Sequence, residues 1–211
     1  ELLETIGWSP GAGFAHLPVH LARLTRCAAF YGFPLDQVRV REQLDAAARA
    51  LRASEDELPG DGRWRVRLCI DAEGGVSVSS TQIVLAGSVQ PVMLAAEPVR
   101  HDDAHLRFKT TRRGIYERAA ASVPEGVEVL LWNDLGHVTE SSIANLVYEL
   151  DGRRFTPPLS DGVLPGVLRE VLLGEGQIEE RSLPTAELPR VQKLHLVNGL
   201  RGWRRAELRA R

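Results

Sequence analysis

Two lysines stand out in a chain whose positive charge is otherwise carried by arginine. Of the 26 basic residues among 211, Lys109 and Lys193 are lysines, and the other 24 are arginines. An arginine cannot replace a lysine that must lose its proton and form a Schiff base with a carbonyl group. We therefore consider a Schiff-base role for one of these two lysines. Chance, or a lysine stem that packs on apolar surface, would explain the same count.

A carboxylate and a predicted hairpin follow one another in the second half of the chain. Glu140 precedes residues 144–150, where apolar and polar side chains alternate as in a strand. Asp151-Gly152 is a two-residue turn signal, and residues 153–156 would return as the partner strand. Without its surroundings, Glu140 would be interpreted as an exposed hairpin carboxylate.

A predicted helix start lies just beyond this hairpin. After Pro157-Pro158 breaks the strand, Pro165 is expected at the first helical position, and apolar residues follow at helical spacing. The backbone N–H groups of Gly166, Val167 and Leu168 would then be unpaired at a helix N-terminus. Such an end is an anion-binding site.

This region resembles the signature of the class IV (fold type IV) pyridoxal-phosphate enzymes. That family contains branched-chain and D-amino acid aminotransferases and aminodeoxychorismate lyase. The resemblance implies that Glu140 keeps the pyridine nitrogen of the cofactor protonated. Val147 and Arg154 depart from the usual pattern, and both are predicted to lie on the hairpin. The matching positions are Glu140, Ser142, Asn145, Leu146, Thr156, Leu164, Gly166, Val167 and Arg169.

Two earlier segments extend the resemblance. The run HLARLTRCAAFYGFP (residues 20–34) is similar to a family helix whose arginine reaches the cofactor phosphate, which implies this role for Arg23. From its pattern alone, Arg23 would be a solvated surface arginine. The segment that begins at Lys109 (KTTRR) resembles the element in which a lysine carries the cofactor. Lys109 would form the Schiff base and then move protons, whereas Lys193 matches no family lysine.

The resemblance also suggests the remaining contacts. Leu200 lies in a segment similar to the second phosphate-side loop, where aminotransferases have a threonine, so that contact would use backbone N–H groups. Arg113 or Tyr116 would donate to the phenolic oxygen of the cofactor. Arg112 or Arg201 would receive a carboxylate of an anionic small-molecule substrate.

Within the family, the closest resemblance is to the lyase domain that some bacteria fuse behind the chorismate-aminating synthase subunit. It covers nearly the whole chain and implies elimination of pyruvate from 4-amino-4-deoxychorismate, which gives 4-aminobenzoate for folate biosynthesis. A chain without an initial methionine fits a domain of a longer fused polypeptide. One alternative is a transaminase of the same fold that acts on branched-chain or D-amino acids. The alternative of another class is a non-catalytic relic that binds phosphate ligands or a partner subunit.

The expected fold is α/β, with a small N-terminal α/β domain (residues 1–86) and a larger, β-barrel-like, cofactor-binding domain (residues 92–211). The segment LAGSVQP (residues 85–91) is the expected linker. The resemblance implies a homodimer with the site at the domain boundary. We expect helices at 16–32 and 36–54, and strands at 1–8, 63–71, 76–79, 92–99, 178–183 and 194–198.

The composition argues against several classes of protein and of binding site. A net charge of −2 argues against a nucleic-acid-binding surface, and no apolar run approaches the ~20 residues of a membrane span. Cys27 and Cys69 are too few for a disulfide framework, which suggests a reducing cytoplasm. The run HDDAH (residues 101–105) offers imidazoles and carboxylates, but we favour a flexible loop over a metal site because no distant third ligand pattern follows. We therefore expect no metal.

Overall fold

The computed structural model describes residues 1–54, 63–85, 87 and 89–210. The chain forms two compact units, and neither is continuous in sequence. The first comprises Glu1–Ala86, Lys109–Thr111 and Gly199–Arg201, and the second comprises Gly87–Phe108, Arg112–Asn198 and Gly202–Arg211. Residues 86 and 88 of the expected linker lie outside the described residues. The domain boundaries expected from the sequence stay predictions.

Most of the expected helices and strands are present. The strand expected at 76–79 extends to Ile83, and the strand expected at 92–99 begins at Gln90 and already ends at Leu94. The helices are α1 (Leu17–Tyr31), α2 (Gln37–Ala53), α3 (Ala104–Arg107), α4 (Gly114–Ala120) and α5 (Val167–Gly174), with 3-10 turns at Leu159–Asp161 and Thr185–Arg190. The strands are β1 (Leu2–Ser9), β2 (Gly13–Phe14), β3 (Arg63–Ile70), β4 (Val76–Ile83), β5 (Gln90–Leu94), β6 (Glu128–Trp132), β7 (His137–Ser141), β8 (Asn145–Leu150), β9 (Arg153–Thr156), β10 (Glu179–Glu180), β11 (Leu183–Pro184), β12 (Lys193–Asn198) and β13 (Gly202–Leu208).

The first unit is an antiparallel sheet with the strand order β2-β1-β3-β4. Helix α1 packs on β1 and helix α2 packs on β4. The apolar residues that alternate along β1 and β3, such as Ile6, Val66 and Leu68, are buried. This burial of one sheet face is the main source of stability for such a unit. Lys109–Thr111 extends the β1 edge, because Leu3 N–H donates to the Lys109 carbonyl at 3.0 Å.

The second unit contains the larger sheet, with the strand order β10-β9-β8-β12-β13-β5-β6-β7-β11. An additional β7–β8 pairing closes the six strands from β8 to β7 into a barrel. Its core includes Leu130, Leu146, Tyr148 and Leu196, none of which is exposed. Helix α4 packs on β6 and helix α5 packs on β12. The predicted β-barrel-like domain is therefore confirmed.

The predicted hairpin is confirmed in its turn and in its pairing. Asp151 and Gly152 both have positive φ, at 51° and 75°. Two successive residues with positive φ are typical of the type I′ turn that suits the twist of paired strands. Tyr148 then lies opposite Phe155, and the two rings are in contact, with centroids 5.7 Å apart.

Two local predictions were wrong. The expected strand at 178–183 is interrupted: Glu179–Glu180 pairs with β9, whereas Leu183–Pro184 pairs with β7. Pro165 is not the first helical residue, because α5 begins at Val167 with Gly166 as its N-cap. Across the described ranges, we find no helix with both the length and the apolar character needed to span a membrane.

Candidate active site

A buried charged cluster lies between β1 and α1 in the first unit. The Arg23 guanidinium donates from Nε to Glu4 Oε1 at 2.9 Å and from Nη2 to Glu4 Oε2 at 2.6 Å. His20 Nδ1 lies 2.6 Å from Glu4 Oε2. Arg23 is only 4% exposed and Glu4 only 1%. Arg23 is therefore not a solvated surface arginine, which corrects the interpretation based on its pattern alone.

Burial and the partner of opposite charge shift the pKa values of Glu4 and His20 in opposite directions. Burial would raise the pKa of Glu4, but the Arg23 charge and the hydrogen bonds from His20 and Arg23 lower the pKa to about 2. Burial lowers the pKa of His20, against the raising effect of Glu4. Since Glu4 is ionised, the neutral imidazole donates from Nδ1. Its Nε2 is buried and has no hydrogen-bond partner among the described residues.

Lys109 belongs to this same unit, where two backbone hydrogen bonds join the segment Lys109–Thr111 to the start of the chain. Leu3 N–H donates to the Lys109 carbonyl, and Thr111 N–H donates to the Glu1 carbonyl at 3.0 Å. Burial raises the pKa of the Cys27 thiol on α1, whereas a hydrogen bond from the Lys109 backbone N–H lowers it. The Lys109 charge also lowers the pKa of His20, although by less than burial does. The structure thus brings Lys109 close to the helix that carries Arg23.

The segment Gly199–Arg201 is also part of the first unit. Leu200 is buried, and its carbonyl accepts a hydrogen bond from Arg63 Nη1 at 3.0 Å. The Leu200 side chain carries no donor, so any phosphate contact here must come from backbone N–H groups. Arg201 is half-buried. The contact between Arg63 and Leu200 was not predicted from the sequence.

In the second unit, a buried carboxylate is surrounded by hydrogen-bond donors. Glu140 lies on β7 and is 3% exposed, so it is not an exposed hairpin carboxylate. Tyr116 Oη donates to Glu140 Oε1 at 2.8 Å. Asn145 Nδ2 and Leu164 N–H donate to Oε2 at 2.9 and 3.1 Å. Donors of this kind stabilise the ionised form and fix its orientation.

The Asn145 amide connects this carboxylate to the start of α5. Asn145 lies opposite Glu140 across the β7–β8 pair, and its Nδ2 also donates to the Leu164 carbonyl at 2.9 Å. Helix α5 follows, with Val167 and Leu168 as its first two residues, both buried. Backbone N–H groups in a first helical turn have no intrahelical acceptor, and the helix dipole favours an anion there. The helix therefore begins next to the position where the anion site was predicted, and the site itself stays a prediction.

Three residues that were predicted to contact the cofactor or the substrate lie at or near the start of α4: Arg112, Arg113 and Tyr116. Tyr116 is buried, and the Arg113 guanidinium lies over its ring, 4.7 Å from the centroid. Burial raises the pKa of Tyr116 well above its usual value, and the charge and hydrogen bond of Glu140 act in the same direction. Arg113 Nη2 also donates to the Ser142 carbonyl. Arg112 is exposed.

Sequence reasoning missed the roles of Glu4, His20 and Asn145. A carboxylate at position 4 of an otherwise apolar strand was the available signal for Glu4. His20 shares one helix face with Arg23, and its spacing of three residues indicated that the two would be neighbours. Asn145 was part of the motif, but its contact with Glu140 depends on the pairing of β7 with β8.

The segment for which a loop was favoured over a metal site is partly helical. Asp103 caps α3, with its Oδ1 accepting from His105 N–H at 2.9 Å. His101 Nδ1 lies 2.9 Å from Asp134 Oδ1. Among the residues that the structure describes, no three or more His, Cys, Asp or Glu side chains are grouped so that they could hold a metal ion.

Comparison with known proteins places these features in a family. The family model for class IV amino-transferases matches residues 1–207. A Schizosaccharomyces pombe protein provisionally assigned as an aminodeoxychorismate lyase is 30% identical over 175 residues, which cover 78% of this chain and 70% of that protein. A Mesorhizobium loti structure provisionally assigned as an amino-acid aminotransferase is 35% identical, with 99% of each chain covered and a TM-score of 0.89.

A more distant structure shows the fold. The fold IV transaminase of Curtobacterium pusillum is 22% identical, with a TM-score of 0.78, and the match covers 98% of this chain and 78% of that one. At this identity the likeness concerns architecture only. The expected fold type IV architecture is confirmed.

Proposed function

Because the chain belongs to the class IV aminotransferase family, we propose that it is a pyridoxal-phosphate-dependent 4-amino-4-deoxychorismate lyase. The reaction would release pyruvate and leave 4-aminobenzoate, a folate precursor. The observation that carries this proposal is the 30% identity with the S. pombe protein assigned as an aminodeoxychorismate lyase. Leu200 adds support, because a transaminase-type threonine hydroxyl is missing from that position.

The residues present have the chemistry that pyridoxal phosphate requires. When bound, this cofactor supplies an aldehyde that condenses with amines and a ring that withdraws electrons from the reacting carbon. The sequence has two lysines that could bind the aldehyde. Lys193 forms an exposed ion pair with Glu149, so Lys109 is the better candidate. Glu140 is a buried carboxyl group that accepts hydrogen bonds from three donors, and its chemistry suits a partner for a ring nitrogen. The first turn of α5 and Arg23 supply groups that suit a phosphate.

Each residue then has a defined task in the proposal. Lys109 would hold the cofactor aldehyde and, once replaced there by the substrate amine, take the proton from the ring carbon that bears this amine. Glu140 would keep the pyridine nitrogen protonated. Arg23 and the N–H groups of Val167 and Leu168 would bind the phosphate. Glu4 would hold the Arg23 guanidinium in one orientation, a task that the sequence did not suggest.

A transaminase is the second candidate, and one observation favours it. The M. loti structure, which is 35% identical over nearly the whole chain, is provisionally assigned as an amino-acid aminotransferase. Both reactions need Lys109 and Glu140, so these residues do not discriminate between them. A transaminase must also return an amino group to a keto acid, whereas a lyase needs one substrate only.

The first test is the visible spectrum of the protein reconstituted with pyridoxal phosphate. We expect a band that is retained in Lys193→Arg and lost in Lys109→Arg, since arginine keeps the charge but forms no Schiff base. Because the given sequence contains two lysines, this pair of variants decides which of them binds the cofactor aldehyde. A band that survives in Lys109→Arg would contradict the proposed role.

The second test separates the two reactions. The reconstituted protein is given 4-amino-4-deoxychorismate alone, and pyruvate and 4-aminobenzoate are measured. A lyase forms both in equal amounts without an added keto acid. Loss of the visible band on addition of amino acids, with formation of keto acid, would instead identify a transaminase. Failure to bind the cofactor would favour a non-catalytic relic.

The assembly and the cellular location belong to the same proposal. We propose a homodimer and a cytoplasmic enzyme, as the family resemblance implies. The dimer is tested by measuring the molar mass in solution with light scattering. A mass near 23.3 kDa, that of a single chain, would contradict it.

A further inference from the structure

Tyr116 lies seven residues after Lys109, yet its hydroxyl is directed at the buried carboxylate. It lies on α4 and donates to Glu140 Oε1 at 2.8 Å, and both side chains are buried. A hydrogen bond from a buried O–H group to a carboxylate is strong, because the acceptor is charged and water is excluded. The Tyr116 hydroxyl is therefore already engaged within the protein.

The donors to Glu140 are divided between its two oxygens. Asn145 Nδ2 and Leu164 N–H reach Oε2, whereas Tyr116 reaches Oε1. If the donors contacted Oε2 alone, the carboxylate could still rotate about the Cγ–Cδ bond. A donor on Oε1 fixes the plane of the carboxylate. Tyr116 is thus one of the donors that set the orientation of the Glu140 carboxylate.

Arg113 helps to hold the Tyr116 ring in place. Its guanidinium lies over the Tyr116 ring at 4.7 Å and donates to the Ser142 carbonyl, two residues after Glu140. Ser142 Oγ also donates to Glu128 Oε1 at 2.6 Å. The start of α4 is therefore fastened to the turn that follows Glu140 as well as to Glu140 itself.

We propose that Tyr116 is a positioning residue that orients Glu140 toward the cofactor ring nitrogen, rather than a donor to the phenolic oxygen of the cofactor. This inference rests on the proposed cofactor chemistry, but the hydrogen bond that carries it lies entirely within the protein. The O–H donor stabilises the ionised carboxylate, so that a proton shared with a ring nitrogen stays on the nitrogen. Loss of this donor would make Glu140 more basic and less ordered.

The test compares two tyrosine variants in the protein without cofactor. Tyr116→Phe removes the hydroxyl and keeps the ring beneath Arg113. Tyr148→Phe is the matched control, because Tyr148 is also buried and its hydroxyl donates to the Arg181 carbonyl at 2.9 Å. The Glu140 carboxyl carbon is followed by NMR through a pH titration and assigned with Glu140→Gln.

We expect the pKa of Glu140 to rise by about one unit in Tyr116→Phe and to stay unchanged in Tyr148→Phe, as loss of one hydrogen bond to a charged group predicts. With 15N-labelled pyridoxal phosphate bound, the ring-nitrogen signal of Tyr116→Phe should move toward the unprotonated form. An unmoved Glu140 titration, or an equal shift in both variants, overturns the proposal. If the wild-type protein binds no cofactor, the proposed function fails, and the cofactor-free titration still decides whether Tyr116 controls Glu140.

Discussion

The side-chain oxygen of Asn145 occupies the space that a side chain at Gly166 would need. A Cβ atom built on Gly166 would lie 1.7 Å from Asn145 Oδ1, well inside any tolerated contact. Gly166 has a φ of −70°, which any residue adopts, so its conformation does not require glycine. The missing side chain lets the Asn145 amide reach both Glu140 and the Leu164 carbonyl.

Gly166→Ala should therefore destabilise the protein and displace Asn145 from Glu140. Forcing an extra methyl group into a filled position typically costs about 1–3 kcal/mol. We expect a loss of this size in urea unfolding, together with weaker pyridoxal-phosphate binding. Gly174→Ala is the control at the other end of α5, because no atom lies within 4 Å of its Cβ position. Equal losses in the two variants would contradict the steric explanation.

The buried ion pair of Glu4 and Arg23 should make the free energy of unfolding depend on pH in the acid range. The pKa of Glu4 is about 2 in the folded protein, against 4.5 as its usual value. The folded state therefore binds fewer protons than the unfolded state in this range, so the contribution is complete above pH 4.5 and is lost as the pH falls toward 2. The shift corresponds to about 3 kcal/mol at neutral pH. His20, whose pKa is also lowered, acts in the same direction below pH 6.5.

Glu4→Gln tests this relationship. The variant leaves a buried guanidinium without its counter-charge and should lose about 3–5 kcal/mol at pH 7. The difference from the wild type should shrink as the pH is lowered from 5 to 3, measured by urea unfolding. Glu179→Gln is the control, since the ion pair of Glu179 with Arg153 is exposed and should contribute less than about 1 kcal/mol. A difference for Glu4→Gln that is constant with pH would argue against the assigned pKa.

The hairpin turn offers a test of backbone conformation alone. Gly152 has a φ of 75°, and its Cβ position is open. Gly152→Ala should cost about 1–2 kcal/mol through left-handed strain, and Gly152→Asn should cost less. Thermal unfolding measures both variants. Gly11→Ala, at an open position without positive φ, should leave the midpoint unchanged.

The cap of α2 gives a prediction for the first unit. Asp36 Oδ1 accepts from Val38 N–H at 2.9 Å and from Arg39 N–H at 3.0 Å. Asp36→Ala removes an acceptor from donors that have no intrahelical partner and should cost about 1 kcal/mol in urea unfolding. Asp36→Asn retains a capping oxygen and should be nearly neutral. Similar losses in both would show that charge rather than capping matters here.

Several features followed from the sequence because they depend on neighbours along the chain. The alternation in β3, the Asp151-Gly152 turn and the apolar face of α1 are local patterns, and the structure confirms them. The strand predicted at β8 is also confirmed, but both of its faces are buried, so its alternation does not separate a buried face from an exposed one. The preference for Lys109 over Lys193 came from the motif around Lys109, and it stays a prediction. Boundaries were less well predicted. Helix α5 begins two residues later than predicted, at Val167 rather than Pro165, because Gly166 adopts the cap position next to Asn145.

Only the tertiary structure decided which polar groups are paired. Glu4 lies on β1 and Arg23 on α1, and Tyr116 and Glu140 likewise come from different elements, so no local pattern reports their contacts. Sequence periodicity indicates which face of an element is apolar, but it does not indicate which charge meets which across two packed faces. A buried charge is tolerated only with partners. The partners therefore depend on how strands and helices pack, and these contacts determine the orientation of Arg23 and of Glu140.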